Sequence, residues 1–432
     1  MKKNFIRRFL SALLALVTLV GTAVPLMISA SAAETTSASA SISSVAVNTS
    51  KNFYTVKKET ALRSSTSIFY SKLATLPVGT VIETSGTSGD YYKVKLSIEN
   101  QNKTYYVKKA DLKAAPKTTN ASLCYTVNNA AIRLAPCAEG TKLMNASKGS
   151  VLKIIGKLTN DAKNLWYVIQ LENGQTAFVY SGNIKTFSKL TLSVSAEKFI
   201  STGTPSQISY SVSPSAVKGI SFASSNGNVV NVNSNGVMNG VSGGDATVTV
   251  NLAGLISTKV AVNVSLGVNV YRQTKNNTCA AASALAILKY RGKCTNMKDT
   301  DIFTGTYVYM VRDNLNKYLG SGTYRWDTFK SQASYEQAIR ASLAQNCPVV
   351  ARVAFSKGYF NYTSSGHYTT IVGIYNGGDG RVWLKLVDSF ANHYNSNDYT
   401  DATTGIVHIP LEELYKYGTY GGASDIYLIY NN

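Results

Sequence analysis

"NNTCAAASALAILKY", residues 276–290, decides how the C-terminal part of the chain is read. Three polar residues lead into a cysteine, and a run of good helix formers begins at once. Ala281, Ala284, Leu285 and Leu288 recur at the spacing that gives a helix one apolar face. Thr278 stands at the N-cap position, which puts Cys279 in the first turn. The unpaired N–H groups and the dipole of a helix start favour an anion, and a thiolate is one. In such settings a thiol pKa falls from about 8.5 into the range of roughly 3.5–7.5. Taken alone, Cys279 reads first as a small buried residue on a packed helix, so other parts of the chain must separate a nucleophile from a core thiol.

Three further features bear on that choice. Gln273 precedes the cysteine by six residues, a distance from which its amide can reach back beside the thiol. With the Cys279 N–H it would offer two donors to a tetrahedral oxyanion. In "SGHYTTIVGIYN", residues 365–376, His367 opens a strand. In "RVWLKLVDSF", residues 381–390, Val382, Leu384 and Leu386 share the parity of Asp388, so that carboxylate ends a strand on its inward row. The two strands predict a hairpin turned through "NGGDG", which returns Asp388 to the histidine. The other candidates are weaker. Cys294 and Cys347 have no Gln six residues upstream and no following apolar helix, and read as disulfide partners or inert core thiols. His393 in a polar loop and His408 in "GIVHIPLEEL" read as solvated or structural, and Asp379 as turn chemistry.

In order and rough spacing, Gln273, Cys279, His367 and Asp388 resemble the site of papain-like cysteine peptidases. The segments "NNTCAAASALAILKYRGK" and "GHYTTIVGIYN" look most like the C39-like branch. The resemblance implies an α+β papain-like domain over residues 268–432. It also implies peptide-bond hydrolysis with Cys279 as nucleophile, His367 as base and acid, Asp388 as orienter and Gln273 as oxyanion donor. No metal or cofactor is needed for that chemistry, and three histidines with no Cys-x-x-Cys pair make no zinc set. The chain departs from the pattern in having Ala280-Ala281 after the cysteine where Gly-Pro is common. It has no "DCSG" stretch and no transporter or ATPase segment. Two alternatives stay open at this stage: a non-catalytic adhesin or wall-binding protein with an inactive papain-like domain, and acyl transfer to an amine by the same triad.

Upstream, the sequence reads as several all-β domains. Lys2, Lys3, Arg7 and Arg8, an apolar stretch from Phe9 to Ile28 and the small residues Ala30, Ser31 and Ala32 have the layout of a secretory signal peptide, residues 1–33, with a retained membrane anchor as the alternative. Residues 34–51, rich in Ser, Thr, Ala and Val, read as a flexible leader. An internal repeat follows. "YTVKKETALRSST" from Tyr54 is echoed by "YTVNNAAIRLAP" from Tyr125, "LPVGTVIET" by "ASKGSVLKI", "YYKVKL" by "LWYVIQL" and "KTYYVKKADL" by "QTAFVYSGNI". Short alternating strands broken by Gly, Asn, Asp and Ser predict two small barrels, residues 52–115 and 123–187. These units resemble bacterial SH3-like domains, which implies binding of cell-wall polymer or stem peptide. Cys124 and Cys137 flank the opening strands of the second unit, either as a hairpin disulfide worth roughly 2–4 kcal/mol or as two free thiols. Residues 189–266 alternate apolar and polar positions between Asn-Gly and Gly-Gly turns, which predicts a β-sandwich. Through "SVSPS", "SSNGNVVNVNSNGVMNGVSGGDATVTV" and "VAVNV" the segment resembles the bacterial Ig-like repeat and is read as a spacer.

Charge and cysteine usage frame the setting. The formal charge is +20; the signal segment holds four of these positives and no acid, which leaves +16. Residues 52–187 carry 18 basic and 8 acidic side chains against 16 and 12 in residues 268–432, so the excess lies in the repeats. For an exported chain this points to anionic wall polymers or lipid head groups rather than nucleic acid, with a merely solvated surface as the bland alternative. Five cysteines, an odd number, leave at least one thiol unpaired within the chain, and catalysis is one reason to keep it. The expectation is therefore a secreted or wall-associated bacterial protein with no membrane span after signal cleavage, acting on a peptide or protein.

Overall fold

The computed structural model describes residues 35–46, 52–69, 72–76, 78, 80–98, 101–114, 120–134, 136–159, 162–303, 305–353, 366–390, 400–401, 405–417 and 426–431. The signal segment 1–33 and His393 lie outside these residues.

The repeated sequence gives repeated backbone detail. In the first unit Thr60–Arg63 pairs with Lys72–Leu76, and the register slips between Leu62 and Arg63. In the second, Ala130–Arg133 pairs with Lys142–Ala146, and the register slips between Ile132 and Arg133. After each slip the arginine meets a single residue of a later strand, Tyr106 in one unit and Phe178 in the other. A 3-10 turn, Lys109–Asp111 or Ser181–Asn183, precedes each closing strand. A bulge bends the strand that carries it, which lets a short sheet curl over a small core. Val56, Leu62, Leu76, Val94 and Val107 fill the first core, and Cys124, Ile132, Ile169 and Val179 the second.

No disulfide joins Cys124 to Cys137; all five cysteines are free. Cys124 points into the core of its own unit, where Sγ lies 3.7 Å from the Leu152 carbonyl. Cys137 packs instead against the apolar cluster of the first unit. The two thiols serve different cores, so their closeness in sequence brings no pairing.

Residues 190–265 form packed sheets. Leu190, Leu192, Val194 and Ala196 alternate inward on one strand and meet Val248, Val250, Val260, Val262 and Val264 from another sheet. The stretch read as a flexible leader belongs to this assembly. Thr35–Ile42 is a strand paired antiparallel with Leu190–Glu197 along its whole length. Its Ser and Thr content masked a strict alternation: Thr36, Ala38, Ala40 and Ile42 turn inward while Thr35, Ser37, Ser39 and Ser41 face out. Small inward residues suffice because the backbone ladder supplies the pairing. Val45–Ala46 then pairs with Asn120–Ala121 of the second repeat.

The C-terminal part holds a seven-stranded sheet in the order Tyr324–Phe329, Ile426–Asn431, Val349–Val353, His367–Asn376, Val382–Val387, Ile406–Pro410 and Thr400–Asp401. Among the described residues its helices are α1 (Cys279–Tyr290), α2 (Asp299–Ile302), α3 (Val308–Leu319), α4 (Gln332–Ala344) and α5 (Leu411–Tyr417). Sequence spacing gave α1 one apolar face, yet every residue from Cys279 to Leu288 is buried. A helix apolar all round is an enclosed one, and its alanines let neighbours approach from each side. The sandwich also does more than space the chain. Leu266 N–H donates to the Val372 carbonyl at 2.7 Å, and Asn263 Nδ2 to the Ile374 carbonyl at 2.8 Å. Lys385 Nζ reaches Ser265 Oγ at 3.2 Å. The strand that begins at His367 is thus held from the sandwich side as well as by α1.

The Thr35–Ile42 strand makes a directional prediction. Ala40→Asp sets a carboxylate without a counter-charge against the sandwich core and should cost roughly 1–3 kcal/mol. Ser39→Asp, on the outer face, should stay within about 0.5 kcal/mol of the parent. Urea unfolding of the two variants checks this, and equal effects would contradict the assigned faces.

Candidate active site

Asn277, at φ +69°, takes a left-handed turn that tips the chain into α1. Thr278 occupies the N-cap position expected from sequence, but its hydroxyl caps no helix N–H. It lies instead 2.5 Å from Asp299 Oδ2, with the Lys275 carbonyl a second acceptor at 2.8 Å. Cys279 follows in the first turn with 6 % of its surface exposed. The first-turn amides beside it are not taken up by the usual side-chain cap.

The hairpin of His367–Asn376 and Val382–Val387 closes as its sequence predicts, Thr370 standing opposite Val387. That register carries Asp388 to the mouth of the first strand. His367 Nε2 faces both Asp388 oxygens at 2.9 Å, with side-chain exposures of 3 % and 0 %. Asp388 Oδ1 also accepts from the Phe390 N–H at 2.8 Å, which keeps the carboxylate turned toward the ring. The Phe390 ring meets the imidazole edge-on, centroids 6.2 Å apart. With Nε2 given to the carboxylate, the other ring nitrogen is left for Cys279, whose thiol hydrogen-bonds His367.

Burial works against charge on both partners, and here it loses. Burial opposes the Cys279 thiolate, but the hydrogen bond and charge of His367, with the Tyr368 N–H, bring the thiol pKa below its ordinary value against a smaller opposing push from Asp388. Burial opposes the imidazolium too, yet the charge and hydrogen bond of Asp388, joined by the thiol, carry His367 up to about 10. Three other thiols shift the opposite way. Burial pushes Cys124 up to about 12 and raises Cys347 and Cys294.

Gln273 sits beside this group. Its N–H donates to the Ser389 carbonyl at 3.1 Å, and its Oε1 accepts from the Ser389 hydroxyl at 3.1 Å. Its Nε2 donates to the Lys275 carbonyl at 3.2 Å. The amide oxygen is therefore anchored to the residue after Asp388, and among the described residues one N–H of Nε2 is left without a hydrogen-bond acceptor. All four residues singled out in the sequence come to one place. His408 instead bonds the Tyr375 hydroxyl at 2.8 Å through Nδ1, and Asp379 accepts from Arg381 N–H and Trp383 Nε1 within its turn. Sequence reasoning missed Tyr368, Ser389 and Asp299, because their contributions depend on backbone amides and loop paths that leave no motif.

Residues 265–405 match the model of the Peptidase_C39 like family. No curated protein matches the chain. Among solved structures, the bromelain protease from Ananas comosus in complex with the E64 inhibitor is similar at 12 % identity and a TM-score of 0.26, over 38 % of this chain and 93 % of that one. NlpC1 from Trichomonas vaginalis is similar at 10 % identity and a TM-score of 0.14, over 82 % of this chain and 93 % of its own. NlpC2 from the same organism is similar at 10 % identity and a TM-score of 0.14, over 81 % and 97 %. The family match points to cysteine peptidase activity in the C-terminal part of the chain.

The pKa directions fix a pH profile. The thiolate–imidazolium pair exists above the depressed Cys279 pKa and below the raised His367 pKa. Alkylation of Cys279 by iodoacetamide should therefore run below the ordinary thiol value of about 8.5. His367→Ala removes the hydrogen bond and charge but leaves the burial, so the profile should move to or above that of a free thiol. Mass spectrometry of the Cys279 peptide across pH reads both.

Proposed function

We propose that this chain is an exported bacterial cysteine peptidase acting at the cell wall. Cys279 is its nucleophile, His367 its general base and acid, Asp388 the orienter of the imidazole and Gln273 an oxyanion donor. The observation that carries this reading is the hydrogen-bonded line from Asp388 through His367 to Cys279, ending at a helix start.

In the first half-reaction the Cys279 thiolate forms a bond to the substrate carbonyl carbon, and the C=O pair moves to oxygen. Gln273 Nε2 and the Cys279 N–H are the donors offered to that oxyanion. His367, as imidazolium, gives its proton to the amide nitrogen; the C–N bond breaks and a thioester remains. Water then attacks the thioester carbonyl as His367 takes one of its protons, and the thiolate leaves as the carboxylic acid forms. The Asp388 carboxylate holds the ring in one tautomer and one orientation throughout.

Two further observations favour a wall setting. Basic side chains outnumber acidic ones 18 to 8 over residues 52–187, which suits an anionic polymer. A groove of about 690 Å³ between the two repeats is lined by Glu59, Arg133, Glu139, Trp166 and Tyr180 among others, with the two rings 5.6 Å apart. Aromatic walls with both signs of charge at hand suit a short peptide bearing amine and carboxylate groups, such as a wall stem peptide.

Incubating the chain with purified wall and with peptide libraries, and following new amino termini, tests the activity. Cys279→Ala should release none. Gln273→Ala should retain turnover reduced by roughly 10²–10³-fold, the usual loss for one oxyanion donor. Undiminished release from Cys279→Ala would refute the mechanism.

A further inference from the structure

Asp299 is 2 % exposed and lies outside the group that the mechanism uses. Its carboxylate gathers the loop that carries Gln273 and Cys279. Oδ2 accepts from Thr274 N–H at 2.8 Å, and Oδ1 from the Thr274 hydroxyl at 2.6 Å. The Thr278 hydroxyl reaches Oδ2 at 2.5 Å. Thr274 directly follows Gln273, and Thr278 directly precedes Cys279. One buried carboxylate thus grips the immediate neighbours of the amide and of the thiol, while Ser389 holds the Gln273 side chain from the Asp388 end.

Burial works against charge on Asp299, but the hydroxyls of Thr274 and Thr278 and the amides of Thr274 and Thr300 outweigh it and hold the carboxyl below its ordinary range. As a carboxylate it accepts at both oxygens, which the geometry requires. An amide in its place offers one acceptor and would point its NH₂ at a donor. The main influences on the Cys279 thiol are burial, His367, the Tyr368 N–H and Asp388, whereas Asp299 bonds Thr274 and Thr278, so its hold on the loop is separable from the thiolate–imidazolium pair.

We propose that Asp299 is a positioning residue for the oxyanion site, fixing the span between the Gln273 amide and Cys279 and drawing the Thr278 hydroxyl away from the first turn of α1. The inference rests on the peptidase reading. The loop has a second route for Thr278, since a free threonine at the N-cap would fold its hydroxyl onto a first-turn N–H. Asp299, together with the Lys275 carbonyl, draws the hydroxyl from that route and leaves the start of α1 to the reacting groups. Small displacements matter here, because oxyanion donors act only within hydrogen-bond reach of where the charge develops.

Two probes on the full-length chain separate positioning from general support. Iodoacetamide alkylates the thiolate by direct displacement and forms no oxyanion; p-nitrophenyl acetate acylates it through a tetrahedral oxyanion. Asp299→Asn should slow acylation by roughly tenfold or more while alkylation and its pH profile stay within about twofold of the parent. Thr274→Val, which deletes one of the three bonds and keeps side-chain shape, should fall between, and it serves if Asp299→Asn does not fold. Thr278→Ser, which keeps the hydroxyl, should behave as the parent. A parallel fall of acylation and alkylation would overturn the proposal in favour of a purely structural role, and so would no fall in either. Failure of the peptidase reading shows earlier and separately, as parent protein whose alkylation does not depend on His367.

Discussion

His367 is almost fully enclosed between a carboxylate and a thiol. A charge placed there has no water to turn to, so it persists only if its counter-charge and hydrogen bonds are built into the protein. Asp388 supplies two acceptor oxygens, and the Phe390 amide keeps that carboxylate from turning away. Cys279 supplies the other partner from the start of a buried helix. Break any one of these and the remaining groups face the desolvation cost alone. The rest of the C-terminal architecture can be understood as what that arrangement demands: a hairpin in the right register, an enclosed α1, and a loop held from both ends.

The sandwich contributes to the same demand. The strand that opens with His367 is hydrogen-bonded at Val372 and Ile374 by Leu266 and Asn263. Gly373 lies so close to Ser265 that a Cβ there would stand 3.0 Å from the serine Cβ. Asp245, opposite Asn263 in the sandwich sheet, accepts from Asn376 at 3.2 Å and faces Arg340 of α4 at 3.8 Å. The His367 strand therefore has fixed neighbours along its length. A change in the sandwich is a change in the support of the imidazole, which ties the upstream β structure to the reactive group.

Much of the site was legible in the sequence because its residues stand where regular elements begin or end. Cys279 opens a helix, His367 opens a strand, and Asp388 closes the hairpin partner at a parity the alternation reveals. What lay hidden depends on paths rather than patterns. Asp299 sits twenty residues after the cysteine with nothing in its own neighbourhood to mark it, and only the fold brings it under Thr274 and Thr278. The Thr35–Ile42 strand escaped because composition, Ser and Ala above all, outweighed an alternation carried by small side chains. Of the two readings of Cys124 and Cys137, free thiols rather than a bridge hold, because closeness in sequence says nothing of which core each thiol enters. The repeat, in contrast, was plain, since the same bulge at the same arginine needs the same local residues in both copies.

The most direct test of the central claim is the ultraviolet absorbance of the Cys279 thiolate, taken as the difference between the full-length chain and Cys279→Ser as pH is raised. The thiolate band should emerge below the ordinary thiol range of about 8.5, as the depressed Cys279 pKa requires, and His367→Ala should move it to or above that range. A band that emerges only at or above that range in the parent chain, unaffected by His367, would mean that the thiol and imidazole do not form an ion pair and that the reactive site does not exist as described.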